Sequence, residues 1–340
     1  MIEAAGGGLA TIVRPLDRIR GALLRAIGRS GRMFLARRSA RVVAIAALGL
    51  VSTFLLAFLA PLWAFALGPI VLGVPHLLAD VRYLVVQRGL HRRSALACSV
   101  GIPIVLGTIE GSPVLGLSAG FGAIVFAHAS RSRAKVGRVL LLAGWVAVIA
   151  IVARHRATAS LVLLHGHNVL AVVVFLLAFA RSRLVGVIVA LGFTGAALAV
   201  IGGVCDPWLF HATTGPRTGL DFGGMLDAIA PIPDPILATR LAILFVFAQG
   251  FHYLVWLRIV PEEARERPGL RSFASSLRAL QRDMGKPALA LFALFAVVIA
   301  ARATFSLEAA RLLYLRAAGF HGYLEVALAL LFAIEGRSRS

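Results

Sequence analysis

The chain has 340 residues, of which 59% are hydrophobic, and its formal net charge is +20. A soluble domain contains roughly 45–50% apolar residues, and here the excess lies in blocks of about twenty residues, long enough for a helix to cross a bilayer. The blocks do not alternate between polar and apolar residues, so they are predicted as helices and not as strands. The basic residues lie in short connections between blocks, which favours membrane orientation over nucleic-acid binding.

The first element in chain order is a basic cytoplasmic arm, residues 1–41, in which arginines are interleaved with apolar residues. This pattern is typical of an amphipathic helix that lies on an anionic membrane surface. A basic tail that only determines orientation has the same composition. Both interpretations stay open for the arm.

Residues 42–335 are predicted to form a transmembrane helical domain, followed by a short tail, 336–340. We therefore predict an all-α, polytopic transmembrane helix bundle of about ten spanning helices. Basic residues cluster in alternate connections, so we expect the N- and C-termini to be cytoplasmic and the protein to be a multi-pass protein of the cell inner (cytoplasmic) membrane. The predicted spans are 42–60, 62–87, 94–110, 113–130, 137–153, 158–180, 184–203, 236–259, 286–304 and 308–335.

Two connections between the predicted spans are long. The outer loop 204–235 is rich in Pro, Gly and Asp and contains His211, and a loop of this length is often functional. The inner loop 260–285 carries several glutamates and many arginines, and it is predicted to form a surface helix.

Histidines lie near the middle of four of the predicted spans. An ionisable side chain inside a span is unfavourable unless it faces the bundle interior, so such residues are functional candidates. The candidate metal ligands are His76, His165 or His167, His252 and His321. Since His165 and His167 are two residues apart, they point in different directions; depth favours His167, and His165 is the alternative.

Two carboxylates accompany these histidines one helical turn away. Asp80 follows His76 by four residues and Glu325 follows His321 by four, so each pair shares a helix face. We take Asp80 and Glu325 as candidate catalytic carboxylates, either as hydrogen-bond acceptors of metal-bound histidines or as ligands. Imidazole and carboxylate without thiolate suit iron, zinc or copper, and several histidines with open positions suit Fe(2+). For each histidine alone, an interhelical hydrogen bond is the simpler interpretation.

The stretch Gly73-Val-Pro-His76-Leu-Leu-Ala-Asp80 resembles a motif of the Brp/Blh family of bacterial and archaeal carotene dioxygenases, roughly Gly-x-Pro-His-Gly-Ala-x-Asp. The similarity covers Gly73, Pro75, His76 and Asp80, and it departs at the two leucines that follow His76. The resemblance implies iron-dependent oxidative cleavage of a polyene such as β-carotene, with His76 as a ligand. The other histidines are candidates by depth alone.

Four functions fit these features. The first is a metal-dependent membrane oxygenase that acts on a lipophilic small molecule such as a carotenoid, with Fe(2+) as cofactor and no nucleic acid as partner. The second is an electron carrier that binds haem through two histidines. The third is a proton-coupled transporter that uses Asp80, Glu325 and the histidines as a relay. The fourth is a structural subunit of a membrane complex, with the arm as its docking element.

Overall fold

The computed structural model of the chain describes residues 13–128, 132–209, 221–266 and 269–336. All the regular elements in these ranges are helices, as an all-α fold requires. The start of the predicted arm, the middle of the outer loop with His211, and most of the tail lie outside the described residues.

Thirteen of the helices are labelled here. In chain order they are α1 (Arg14–Ala26), α2 (Gly28–Ala36), α3 (Arg38–Leu59), α4 (Pro61–Val86), α5 (Ser94–Ile109), α6 (Pro113–Phe126), α7 (Ser132–Arg154), α8 (Arg156–Ala178), α9 (Arg183–Ile201), α10 (Phe222–Ile229), α11 (Pro235–Ala264), α12 (Phe273–Phe305) and α13 (Leu307–Glu335).

Eight helices of the described chain are long and apolar enough to cross a membrane: α3, α4, α7, α8, α9, α11, α12 and α13. Two further apolar helices, α5 and α6, have 16 and 14 residues and correspond to the predicted spans 94–110 and 113–130. They are joined by a short turn and pack closely because Gly107 has no side chain: a Cβ there would overlap the backbone of Gly116. The protein is thus a helical protein of membrane type.

Ion pairs join several helix ends at one face of the bundle. Arg41 near the start of α3 pairs with Glu262 near the end of α11 at 2.6 Å, and Arg93 before α5 pairs with Glu335 at the end of α13 at 2.9 Å. The Glu335 carboxylate also accepts from the backbone N–H of His128, just after α6, at 2.8 Å. Hence the beginnings of α3 and α5 and the ends of α6, α11 and α13 lie at the same face.

The long connection before α12 differs in detail from the predicted inner loop. Helix α11 continues to Ala264, and α12 already begins at Phe273, with a break at Gly285, where φ is +76°. Because glycine tolerates this left-handed backbone, the two helical parts of α12 meet at an angle there. The part of α12 before Gly285 corresponds to the predicted surface helix, and its Asp283 pairs with Arg82 on α4 at 2.6 Å.

Candidate metal centre

Four helices bring their histidines to one place inside the bundle. The ring centroids of His76 on α4 and His321 on α13 are 4.9 Å apart, and the His252 ring on α11 lies 5.2 Å from His76. His167 on α8 completes the group at 5.3 Å from His252 and 5.2 Å from His321. We call these four residues the histidine layer, because each lies near the middle of its helix.

The helices that carry His76 and His252 are locally irregular. In α4, π-helical turns at Pro69–Gly73 and Val81–Val86 flank the regular turns of Val74–Asp80 that hold His76. Proline lacks the N–H that a regular helix needs, so Pro75 interrupts the ladder next to one of these wide turns. In α11 a π-helical turn, Val255–Ile259, comes shortly after His252. Such turns are frequent at functional sites, because they change the direction of neighbouring side chains.

Two of the histidines have Nδ1 occupied by a backbone carbonyl outside the layer. Nδ1 of His321 lies 2.5 Å from the carbonyl oxygen of Ala318, and Nδ1 of His167 lies 3.1 Å from that of Leu163. A carbonyl only accepts, so both Nδ1 atoms carry the proton and both Nε2 atoms have a free lone pair. Carbonyl partners of this kind orient metal-binding histidines.

His76 is oriented by a tyrosine that the sequence analysis did not select. The Tyr314 hydroxyl lies 3.4 Å from Nδ1 of His76. Gly73 permits this approach, because a Cβ at Gly73 would overlap the Tyr314 ring. Nε2 of His76 then lies 3.5 Å from Nε2 of His321. Two nitrogens bound to one tetrahedral ion at 2.1 Å are about 3.4 Å apart, so this pair has the spacing of metal ligands.

Within the site, His252 and Asp80 have no hydrogen-bond partner among the described residues for any side-chain polar atom. The His252 side chain is 1% exposed and neither ring nitrogen makes a hydrogen bond with a described residue. Asp80 is 0% exposed, and neither carboxylate oxygen has a hydrogen-bond partner there. An unpaired polar group in such a place costs about 1–3 kcal/mol, and more if charged. A cation bound between them would satisfy both.

The ligand atoms of His76, Asp80, His252 and His321 all lie within 4.8 Å of one another. Ligand atoms on a single ion are at most about 4.4 Å apart for bonds near 2.2 Å, so a small movement of these side chains completes a four-ligand set. His167 borders this set with a free Nε2.

Glu325 has a different role from Asp80 in this geometry. Its Oε1 accepts a hydrogen bond of 2.9 Å from the indole N–H of Trp256, and its Oε2 has no partner among the described residues. Trp256 follows His252 by four residues, as Asp80 follows His76 and Glu325 follows His321. Three helices therefore place a polar group one turn from a histidine, and we call these three residues the inner polar layer.

His165 lies outside the histidine layer. Its Nε2 is 2.7 Å from the carbonyl oxygen of Ile229, and its ring packs against Phe245 at 5.3 Å. It lines a separate apolar cavity of about 450 Å³ on another side of α8. Of the two alternatives on α8, the structure places His167 beside the other histidines and directs His165 away from them.

A cavity of about 180 Å³ adjoins the histidine layer on the side away from Asp80 and Glu325. It is bordered by His76, His167 and His321 and otherwise mainly by apolar and aromatic side chains of α8, α11 and α13. Its exposed lining residues are Ser160 on α8 and Gly319 on α13, so the cavity opens between these two helices. An apolar cavity of about 150 Å³ holds a benzene ring, so this one accommodates a comparable piece of a ligand.

Comparison with protein-family models, with curated proteins and with solved structures finds no match for this chain. The geometry of the described residues therefore carries the functional argument.

Three further residues lie near the histidine layer: Tyr314, which the sequence did not single out, and Trp256 and Gln249, whose places near His252 were evident but to which no site role was assigned. The first two follow from helical spacing, since Tyr314 precedes His321 by seven residues and Trp256 follows His252 by four, both on the same face. Gln249 precedes His252 by three and lines the cavity. A search for polar residues at three-, four- and seven-residue spacing from each histidine would have found all of them.

Proposed function

We propose that this chain is an integral membrane, metal-dependent oxygenase that acts on a lipophilic substrate. The observation that carries the proposal is the pair of buried, unpartnered groups, His252 and Asp80, whose ligand atoms lie within 4.8 Å of each other and of those of His76 and His321. A histidine and carboxylate set without thiolates suits Fe(2+). Bound there, iron would supply the centre at which dioxygen is activated.

In this proposal the chain's own residues hold and orient the ligands. His76, His252, His321 and Asp80 bind the ion, and Tyr314 and the carbonyls of Ala318 and Leu163 hold the rings in position. The cavity lies on the open side of the histidine layer, where substrate and dioxygen would approach. Its apolar lining excludes water, which protects a reactive site from side reactions.

The substrate in this proposal is a lipophilic molecule that comes from the bilayer. The cavity opens between α8 and α13, two helices of membrane-spanning type, and not at a loop. Oxidative cleavage of a carotenoid, which the Gly73–Asp80 resemblance implies, belongs to this class of reaction. At about 180 Å³ the cavity takes only one part of such a molecule, and the remainder would lie between the helices.

Haem and transport receive less support from the geometry. Pockets for ligands of drug size have roughly 300–1,000 Å³, and the cavity at the histidines is smaller than that. For a proton relay, Asp80 and Glu325 should meet water, yet both are 0% exposed and neither lines the two cavities described above.

For the membrane arrangement we propose about ten crossings with both termini in the cytoplasm, in the cell inner membrane. The positions of the helix ends support this arrangement. One face of the bundle holds the beginnings of α3 and α5 and the ends of α6, α11 and α13. Since α5 begins and α6 ends at this face, the two helices would form an outgoing and a returning crossing. In this orientation the basic arm meets the anionic cytoplasmic leaflet.

Metal analysis of the purified full-length protein tests the proposed centre. We expect about one equivalent of iron after reconstitution with Fe(2+) under reducing conditions, and a loss of most of it in His76→Ala, His252→Ala and His321→Ala. His165→Ala is the matched control, since the same substitution on the other side of α8 leaves the ligand set intact. Less than about a tenth of an equivalent in the native protein would contradict the proposal. A Soret absorption band would favour haem instead.

A further inference from the structure

One polar side chain in the cavity has no structural partner. Gln249 on α11 is only 5% exposed, yet it lines the cavity and makes no hydrogen bond with any described residue. The amide has two N–H donors and a carbonyl acceptor. The amide atoms are not among the fully buried, unpaired polar atoms of the described chain, so they face the open space of the cavity, where water or a ligand group can pair with them. Losing that pairing costs about as much as a lost hydrogen bond.

The position of Gln249 relative to the histidines is defined by the helix. It precedes His252 by three residues, about 4.5 Å along the axis at 1.5 Å per residue, toward the cavity and away from the inner polar layer. His76 and Tyr253 line the same cavity, and their rings are 4.7 Å apart. A group hydrogen-bonded to Gln249 would therefore lie within roughly one helical turn of the histidine layer.

The charge of the lining indicates which kind of group fits. The residues that border the cavity include no lysine, arginine, aspartate or glutamate. An ammonium group would lack a counter-charge there and would be repelled by an iron ion bound at the histidines, which is costly in an apolar setting. A neutral hydroxyl or carbonyl oxygen can accept from the Gln249 N–H groups, and a hydroxyl can also donate to its carbonyl.

We propose that Gln249 binds a neutral oxygen substituent of the substrate, so that the site selects a lipophilic alcohol, aldehyde or ketone over the parent hydrocarbon. The inference rests on the proposed function and deepens it by naming the substrate class. A pure hydrocarbon would displace water from the cavity and leave Gln249 unpaired, whereas an oxygenated chain replaces the lost hydrogen bond. The apolar remainder of the molecule occupies the opening between α8 and α13.

Binding of two matched pairs of probes tests the inference. Full-length protein in lipid nanodiscs is incubated with farnesol or farnesene, and with 1-hexadecanol or hexadecane, and affinity is expressed per mole fraction of probe in the lipid. We expect the alcohol to bind at least about 10-fold more tightly than the hydrocarbon in one pair or both. In Gln249→Met, which keeps the side-chain length, we expect a preference below about 3-fold.

Gln281→Met is the matched control, because it makes the same substitution on α12, outside the cavity. It should keep the native preference. Gln249→Asn serves as a second variant, because its side chain is one methylene shorter and holds the amide further from the cavity. A preference for alcohol between those of the native protein and Gln249→Met would support the assignment. Thermal unfolding of each variant shows whether the bundle is intact.

Two results would overturn the inference: no preference for alcohol in either pair, or a preference that Gln249→Met leaves unchanged. Both are distinct from failure of the proposed function. Iron bound by the native protein without an alcohol preference refutes only the Gln249 assignment. An alcohol preference that depends on Gln249 in a protein that holds no iron refutes the metal centre and keeps the subsite.

Discussion

At the scale of single residues, the site is arranged as layers of different polarity along the helix axes. Asp80, Glu325 and Trp256 form the inner polar layer, the histidine layer follows one turn away, and the cavity with Gln249 lies beyond it. Because the carboxylates lie on the closed side, in the proposed function they would act on the histidines and on the bound ion, and the substrate would meet only the open side.

The Trp256–Glu325 hydrogen bond of 2.9 Å joins two members of the inner polar layer. Trp256→Phe removes the indole N–H and leaves Glu325 buried with no partner among the described residues. We expect the free energy of unfolding to fall by about 1–3 kcal/mol. Reversible unfolding in mixed detergent micelles measures the change.

Trp63→Phe provides the control for this substitution. Trp63 lies on α4 with 45% of its surface exposed. The same loss of an indole there should change stability by less than about 0.5 kcal/mol. Equal effects of the two substitutions would show that the Glu325 hydrogen bond does not stabilise the bundle.

The depth of the histidines could be predicted from the sequence, but their directions could not. A span of about twenty residues has a defined midpoint, so His76, His167, His252 and His321 were expected at similar depth. Which of His165 and His167 points inward depends on the rotation of α8, and an all-apolar helix gives no amphipathic signal for that rotation. In the structure, the His165 ring points away from the other histidines and its Nε2 lies 2.7 Å from the carbonyl oxygen of Ile229.

At the scale of elements, α1 is attached to the bundle through the start of α12. The Asp17 carboxylate accepts from the backbone N–H groups of Phe273 and Ala274 at 2.7 and 3.1 Å, and Ser272 accepts from Ser275 at 3.1 Å. The first N–H groups of a helix have no partners within the helix. At the start of α12, Asp17 of α1 accepts from two of them and the N-cap residue Ser272 accepts from a third. The sequence predicted an amphipathic arm but did not indicate this cap, because Asp17 is separated from Phe273 and Ala274 by 256 and 257 residues along the chain.

Asp17→Ala should detach α1 from α12. Loss of a capping side chain costs about 1 kcal/mol, so we expect faster hydrogen exchange at the amides of Phe273 and Ala274 and faster trypsin cleavage in α1, which contains several arginines. Asp17→Asn keeps one capping oxygen and should stay close to the native protein, since Asn caps nearly as well as Asp. Native exchange rates in the alanine variant would mean that α1 is held by other contacts.

The same helix exposes an apolar face that the bundle does not cover. Leu16, Ile19, Leu23 and Ile27 are each about half exposed and recur at helical spacing along one side of α1. With the arginines of the arm around them, they match a helix that lies in the interface of an anionic leaflet. In the proposed orientation, Asp17 holds this helix against α12 at the cytoplasmic end of the bundle.

At the scale of the whole molecule, the distribution of charge and the positions of the helix ends both support the proposed orientation. The face that carries the Arg41–Glu262 and Arg93–Glu335 pairs is also the face of the basic arm. At the opposite face, Arg240 is neutralised by Asp206 through two contacts, the shorter of 2.5 Å. The prediction of about ten crossings came from the lengths of the apolar blocks and was compared with the loop charges; in the described chain eight helices are long enough to span, and α5 and α6 are shorter.

Cysteine accessibility tests this orientation directly. In a Cys98→Ala background, Arg92→Cys places an exposed thiol at the proposed cytoplasmic face, and Asp227→Cys places one in α10 at the opposite face. We expect a membrane-impermeant maleimide to label Asp227→Cys in intact spheroplasts, and Arg92→Cys only after lysis, because the reagent cannot cross the bilayer. The background protein gives the baseline, since Cys205 is buried. Labelling of Arg92→Cys before lysis, with Asp227→Cys protected, would invert the proposed topology, and labelling of both before lysis would contradict the odd number of crossings, five, proposed between the two positions.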